Sequence, residues 1–145
     1  MENGKSPQLF QLRTQLLSQG RSDFTLANTD LMTVRIKCYA QGGENALHMH
    51  PAEDHIFVVL DGAARFVGKD GEIGVLEKNQ GIMLPRGVYY RFESCGETPL
   101  VMLRVGAAKE RSKVSRINPE GKPLLGNSIE NKHEEGVPIE GRYYE

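Results

Sequence analysis

Short β-type runs occupy the middle of the sequence and limit the folds that are open to it. From residue 31 to residue 106, runs rich in Val, Ile, Leu, Phe and Tyr are separated by Gly, Pro, Asp and Asn. The run LMTVRIKCYA (31–40) alternates apolar and polar residues with the period of two that a strand with one buried face requires. No helical period of useful length interrupts these runs, so the pattern predicts an all-β barrel or sandwich.

The two flanks of this region follow other patterns. Leu9, Leu12 and Leu16 recur at spacings of three and four, which predicts a short helix over residues 7–19. After residue 106 the chain is polar with charges of both signs, and we expect a tail that packs on the barrel or on a partner subunit, or is partly disordered. Three parts result: an N-terminal helical segment (1–21), a β-barrel (22–108) and a C-terminal tail (109–145).

Composition and charge exclude several classes of function. The 145 residues carry 18 basic and 19 acidic side chains, whereas binding to nucleic acid or to an anionic membrane needs clustered basic residues. No apolar run approaches the ~20 residues of a membrane span, and the N-terminus has no signal-peptide core, so we expect a cytoplasmic protein. Cys38 and Cys95 lack metal-site spacing and are expected to be free thiols.

Three of the four histidines fall within the stretch HMHPAEDH (48–55). His48 and His50 are separated by one residue, so on a strand their side chains point the same way. Pro51 ends that strand, and His55 begins the next run, so a neighbouring strand can bring its ring to the same point. Neutral imidazole is a common ligand of transition metals. The stretch is therefore a candidate metal site, and the alternative is an exposed histidine-rich turn.

Two motifs in this region resemble those of the cupin superfamily. The first cupin motif is a Gly, a His-x-His pair, a Glu and a closing Gly at fixed spacing. Here Gly43, His48, His50 and Gly62 keep that spacing, and His55 stands where Glu is usual.

The second cupin motif ends in Pro-x-Gly and a His three positions after the Gly. Here Pro85 and Gly87 match, and Tyr90 stands where His is usual. The resemblance covers roughly residues 30–106. It implies an all-β, double-stranded β-helix (a jelly-roll or cupin barrel), here with a short N-terminal helix and an extended C-terminal tail.

The same resemblance implies a metal centre and its ligands. His48, His50 and His55 are the implied histidine ligands of a divalent transition metal, which is Fe, Mn, Ni or Zn. Tyr90 either ligates the ion or stands off it as a proton donor. Glu53, on the rim, is a candidate general base and a fallback carboxylate ligand.

Strand parity indicates which other side chains line the pocket. The apolar set of the run 31–40 is expected inside the barrel: Met32, Val34, Ile36 and Cys38. Arg35 and Lys37 are then expected at solvent or at a subunit interface. Arg104 points outward or, alternatively, inward, where a guanidinium suits a carboxylate substrate. The expected pocket is mostly apolar, and its candidate substrate-binding residues are Arg104, Phe57, Phe92 and Met32.

These features predict a metal-dependent enzyme that acts on a small organic molecule, of a dioxygenase type or of a lyase or isomerase type. Cupins host many reactions, and two of the four usual ligand positions differ here. A non-catalytic small-molecule-binding cupin and a metal-free barrel with a decayed site are therefore the alternatives. The resemblance also implies a homodimer, because small cupins commonly pair through sheet faces and terminal strands.

Overall fold

A computed structural model describes residues 6–40, 45–110 and 114–145, and the regular secondary structure of this part of the chain is almost entirely β-strand. The strands are β1 (Thr14–Gln19), β2 (Arg21–Asn28), β3 (Met32–Tyr39), β4 (Asp54–Asp61), β5 (Ala64–Gly68), β6 (Gly71–Leu76), β7 (Gly81–Leu84), β8 (Arg91–Ser94), β9 (Leu100–Ala107) and β10 (Val137–Tyr144), with a 3₁₀ turn at Ile129–Asn131. The all-β prediction is confirmed.

Two antiparallel sheets form the barrel. The larger has the order β2-β3-β9-β4-β7 and the smaller β6-β5-β8. The chain passes from one sheet to the other between β4 and β5, at Gly62. This residue has φ +76°, and a Cβ there would lie 2.7 Å from the carbonyl oxygen of Pro99, so the turn requires glycine.

An aromatic core joins the two sheets. Phe57 of the larger sheet lies 5.6 Å from Phe66 and 5.5 Å from Phe92, both of the smaller sheet, measured between ring centroids. Tyr39 meets Phe92 edge to face at 4.7 Å. All four rings are buried. Burial of each large apolar side chain contributes about 1.5–3 kcal/mol, so this cluster accounts for much of the packing between the sheets.

The predicted N-terminal helix is wrong. Residues 14–19 form strand β1, which pairs antiparallel with β10 at the other end of the chain. Leu16 and Leu17 are both buried, whereas Leu9 is 98% exposed, so the leucines do not form one continuous face. The leucine spacing of three and four is compatible with a helix, but a short helix is stable only if it packs on something. As a strand paired with distant β10, the segment buries Leu16 and Leu17 instead.

The predicted inward face of β3 is also wrong. Ile36 and Cys38 are fully buried, but they pack on the outer face of the larger sheet, beneath β1 and β10. Met32, on the same face, is 46% exposed. Lys37 and Tyr39 instead face the space inside the barrel. A second layer on the outside of the sheet provides the apolar environment that the sequence pattern had assigned to the interior.

The C-terminal tail packs on the barrel. Its strand β10 pairs with β1, and Arg13 Nε forms an ion pair with Glu145 Oε2 at 2.9 Å. Further back, Ile117 and Met49 exchange backbone hydrogen bonds of 2.9 and 3.0 Å. Within the described ranges, no helix has the length and apolarity that a membrane crossing requires. Cys38 and Cys95 are free thiols.

Gly20 is the point at which the tail approaches the barrel most closely, and it supplies a test of this arrangement. It has φ +76°, and a Cβ there would overlap the carbonyl oxygen of Glu135. We expect Gly20→Ala to lower the free energy of unfolding by at least about 1–2 kcal/mol in urea titrations. The matched control is Gly74→Ala in β6, where a Cβ meets nothing within 4 Å. It should stay within about 1 kcal/mol of the parent, and equal losses in both variants would contradict the described tail position.

Candidate functional site

A cavity of about 680 Å³ lies between the larger sheet and the tail. Its size falls in the range of small-molecule sites. Strands β2, β3 and β9 supply one part of the lining, and tail residues between 115 and 133 supply another. The prediction of a mostly apolar pocket is wrong, because charged and polar side chains dominate the lining, among them Arg35, Lys37 and Arg104.

The structure brings the three clustered histidines together. His48 sits on an extended segment that exchanges two backbone hydrogen bonds with Tyr90, at 3.0 and 2.8 Å. His50 follows two residues later, and His55 is the second residue of β4. The ring centroids of His48 and His50 are 5.0 Å apart, and those of His50 and His55 are 4.0 Å apart. All three side chains are buried.

Each imidazole has one ring nitrogen held by an acceptor. A carbonyl or carboxylate oxygen can only accept, so these three nitrogens carry the ring proton and the other nitrogen of each neutral ring is a lone-pair donor. The pairs are His48 Nδ1 with Ala46 O (2.6 Å), His50 Nδ1 with Ser115 O (2.7 Å) and His55 Nε2 with Glu53 Oε1 (3.0 Å). Arg104 Nη1 also lies 3.5 Å from His55 Nε2, but the shorter bond to Glu53 sets the tautomer.

Burial keeps these histidines uncharged. It lowers the pKa of His48 to about 3 and also lowers the pKa values of His50 and His55, in spite of the hydrogen bond from His55 to Glu53. Neutral imidazole is the form that binds metal ions. The donor chemistry of the three side chains therefore fits a divalent transition metal.

The Tyr90 hydroxyl lies among the nitrogens that would ligate such an ion. It is 3.2 Å from His50 Nε2 and 3.5 Å from His55 Nδ1. Burial raises the pKa of the Tyr90 phenol, so it keeps its proton and can donate it to an imidazole nitrogen. Among the residues that the structure describes, no group of three or more His, Cys, Asp or Glu side chains has metal-binding spacing.

The other candidate residues are placed as follows. Phe57, Phe92 and Glu53 line the cavity, and Arg104 takes the inward of its two expected orientations. Met32 lies on the outer face, 46% exposed, and is not part of the cavity lining. It therefore does not reach the place where a substrate would bind, because the inward face of β3 is the opposite one.

Several lining residues were not identified from the sequence. Lys37 belongs to the polar set of alternating residues on β3, and it lines the cavity because this set, and not the apolar one, faces inward. Arg116, Asn131 and His133 come from the tail, whose sequence carries no recognisable pattern. His133 is partly buried and accepts a hydrogen bond of 3.3 Å from Arg21 Nε.

Comparison with known proteins now adds to this geometry. The family model described as "Cupin domain" matches residues 35–106. The protein YdbB of Bacillus subtilis, itself described as uncharacterized, is 30% identical over 78 residues, which are 54% of this chain and 67% of YdbB. This chain belongs to the cupin superfamily.

Solved cupin structures share the fold at low sequence identity. A double-stranded β-helix protein from Klebsiella pneumoniae has a TM-score of 0.56 and 20% identity, and covers 61% of this chain and 77% of its own. The Cnp3 cupin domain of Schizosaccharomyces pombe has a TM-score of 0.58 and 17% identity, and the match covers 64% of this chain and 68% of the Cnp3 domain. KdgF from Halomonas has a TM-score of 0.55 and 17% identity, and the match covers 65% of this chain and 82% of KdgF. At these identities the likeness supports the fold alone, and the cupin fold is one that binds small molecules.

The burial of the histidines predicts a pH-dependent stability for this cupin. Their folded-state pKa values lie below the ordinary value of 6.5, so the unfolded chain binds more protons below that pH. The stabilisation is complete above about pH 6.5 and is lost as the pH falls towards the folded values. Between pH 7 and pH 5 the free energy of unfolding should drop by up to about 2 kcal/mol per histidine.

Urea unfolding of metal-free protein at several pH values measures this drop. His48→Gln should reduce it, whereas Tyr89→Phe, which removes a hydroxyl that bonds the Asn118 carbonyl and no histidine, should leave it unchanged. A parent protein whose stability is flat between pH 7 and pH 5 would contradict the neutral, buried state of the histidines.

Proposed function

We propose that this cupin binds a divalent transition metal through His48, His50 and His55, and that it acts on a small organic molecule in the adjoining cavity. The observation that supports this most is the pairing of each imidazole with a fixed acceptor on one nitrogen only. Such partners orient metal-ligating histidines and fix their tautomers. The ion would be Fe, Mn, Ni or Zn, since imidazole suits borderline metals.

A bound ion would supply Lewis acidity and, if redox-active, oxygen chemistry, which favours a lyase or isomerase in the first case and a dioxygenase in the second. The protein's own groups have separate roles. Tyr90 holds a proton at its Oη and can deliver it to a group beside His50. Glu53 accepts the His55 Nε2–H bond, so it positions that imidazole. Phe57 and Phe92 offer apolar surface to the body of a ligand.

A non-catalytic, metal-free binding protein is the second candidate. One observation favours it: the Tyr90 hydroxyl lies 3.2 Å from His50 Nε2 and 3.5 Å from His55 Nδ1, so its single proton can satisfy one of these two free nitrogens without an ion. In this arrangement the histidines and the tyrosine form a buried hydrogen-bonding group at the edge of the cavity. A ligand could then be bound by hydrogen bonds alone.

Metal analysis separates the two candidates. Protein exposed to Fe(II), Mn(II), Ni(II) or Zn(II) and then dialysed is measured by inductively coupled plasma mass spectrometry. We expect retention of one of these metals by the parent protein and by His133→Ala, and a loss of more than about tenfold in affinity for His50→Ala, because a ligand is removed.

Equal retention by the parent and by His50→Ala would overturn the histidine site, and the absence of any retained metal would favour the second candidate. If metal is retained, oxygen uptake with diketones, thiols and catechols distinguishes the dioxygenase type from the lyase or isomerase type.

We also propose that the chain forms a homodimer through the outer face of its larger sheet. One row of apolar side chains crosses four strands of this face, as the strand register shows: Val34, Val105, Ile56 and Met83. Ile56 is 36% and Met83 63% exposed. A contiguous apolar row on a sheet face suits a two-fold interface, in which the same patch meets itself.

Sedimentation velocity tests the dimer. Met83→Glu should shift the protein from dimer to monomer, because it places a charge in the apolar row. Ile73→Glu is the matched control, since Ile73 is a similarly exposed apolar residue on β6 of the smaller sheet and should leave the dimer intact. A monomeric parent protein, or equal effects of both variants, would contradict this interface.

A further inference from the structure

The cavity carries an excess of positive charge. Of the residues that the structure describes, five cationic side chains line it, against two carboxylates: Arg21, Arg35, Lys37, Arg104 and Arg116 against Asp23 and Glu53. The whole chain, by comparison, has a net charge of −1. The positive charge is therefore concentrated at this one place, and it is not a general property of the surface.

The two carboxylates in the cavity already have partners. Asp23 forms ion pairs with Lys37 at 2.9 Å and with Arg35 at 3.2 Å. Glu53 is hydrogen-bonded to His55 at 3.0 Å. The strand register also places Arg35 directly opposite Arg104 on the adjacent strand. Like charges in that relation destabilise a sheet, so Arg104 occupies an unfavourable position unless an anion balances it.

Among the residues that the structure describes, Arg104 and Arg116 keep unused hydrogen-bond donors. The Nε atom of each is buried and has no hydrogen-bond partner in the part of the chain that the structure describes. Neither side chain forms an ion pair with a carboxylate of the described residues. Burial lowers the pKa of Arg104, which reflects the cost of a charge taken out of water. Two guanidinium groups thus face the cavity with unused donor capacity.

Two different parts of the fold bring these groups to the same cavity. Arg104 lies on β9 in the larger sheet, and Arg116 lies on the tail. Arg116 packs so closely against Gly126 that a Cβ at that position would overlap its Nη1.

We propose that the ligand of this cavity is an organic anion, and that Arg104 and Arg116 together bind its carboxylate or phosphate group. Guanidinium groups bind both kinds of oxyanion with paired hydrogen bonds, and Lys37 adds charge beside them. The inference deepens the proposed function and rests on the same cavity, since it names the class of molecule that would reach the histidines. The uncharged part of the ligand would extend towards Phe57.

Isothermal titration calorimetry on metal-free protein at low salt tests this proposal. The probes are succinate, inorganic phosphate and the neutral analogue succinamide. We expect succinate or phosphate to bind and succinamide not to bind. The anion that binds more tightly indicates whether the natural ligand carries a carboxylate or a phosphate group. Arg104→Gln and Arg116→Gln should each weaken binding at least tenfold. Arg86→Gln, an exposed arginine outside the cavity lining, should bind as the parent does.

Circular dichroism verifies that each variant is folded. If Arg104→Gln does not fold, Arg104→Lys replaces it, because it keeps the charge and removes the planar donor pair, and weaker binding is again expected. The proposal is overturned if no anion binds the parent, if succinamide binds as well as succinate, or if either cavity variant binds as tightly as the parent. Metal retention is measured separately, so anion binding without metal would reject the proposed metal function and leave this inference standing.

Discussion

The coverage of the larger sheet on its outer face is the constraint on which the rest of the structure depends. Strands β1 and β10 pack against Ile36 and Cys38, and this layer buries that part of the outer, apolar face of the sheet. Because that burial is already obtained outside the barrel, the opposite face of β3 need not be apolar. Lys37 can therefore point into the barrel, and the interior can contain a charged cavity next to an aromatic core.

The histidine group illustrates how polar atoms are accommodated at such depth. A buried polar group costs free energy unless it is hydrogen-bonded. His48 and His50 satisfy one nitrogen each with a backbone carbonyl, and His55 does so with Glu53. The remaining nitrogens of His50 and His55 face the Tyr90 hydroxyl. A binding site needs imidazoles of this kind, in which one nitrogen is held by a hydrogen bond and the other keeps a lone pair for a ligand.

The tail adds both stability and chemistry to the barrel. Strand β10 completes the outer layer, while the segment before it closes the cavity with Arg116 and His133. Ser115, in the same segment, supplies the carbonyl that holds His50. The cavity is thus shared between the part that matches the cupin family model and a segment that lies beyond it. The family match alone therefore does not determine what this cavity binds.

Much of the fold and part of the candidate site could be predicted from the sequence. Alternating apolar residues and regular turns determined a barrel of short strands, and the spacing of His48, His50 and His55 indicated side chains that the structure does bring together. The strand pattern, the turns and the histidine spacing all depend on residues that are close in sequence, because alternation of side chains along a strand and turn-forming residues are local properties.

Only the tertiary structure decided three other matters: that residues 14–19 form a strand, that Lys37 faces inward, and that Arg116 meets the cavity. In each case the deciding partner lies far away along the chain. A strand needs its distant partner, an apolar face can be buried on either side of a sheet, and a tail has no local pattern to show where it packs. The sequence determines which faces must be buried, whereas the long-range packing determines what buries them.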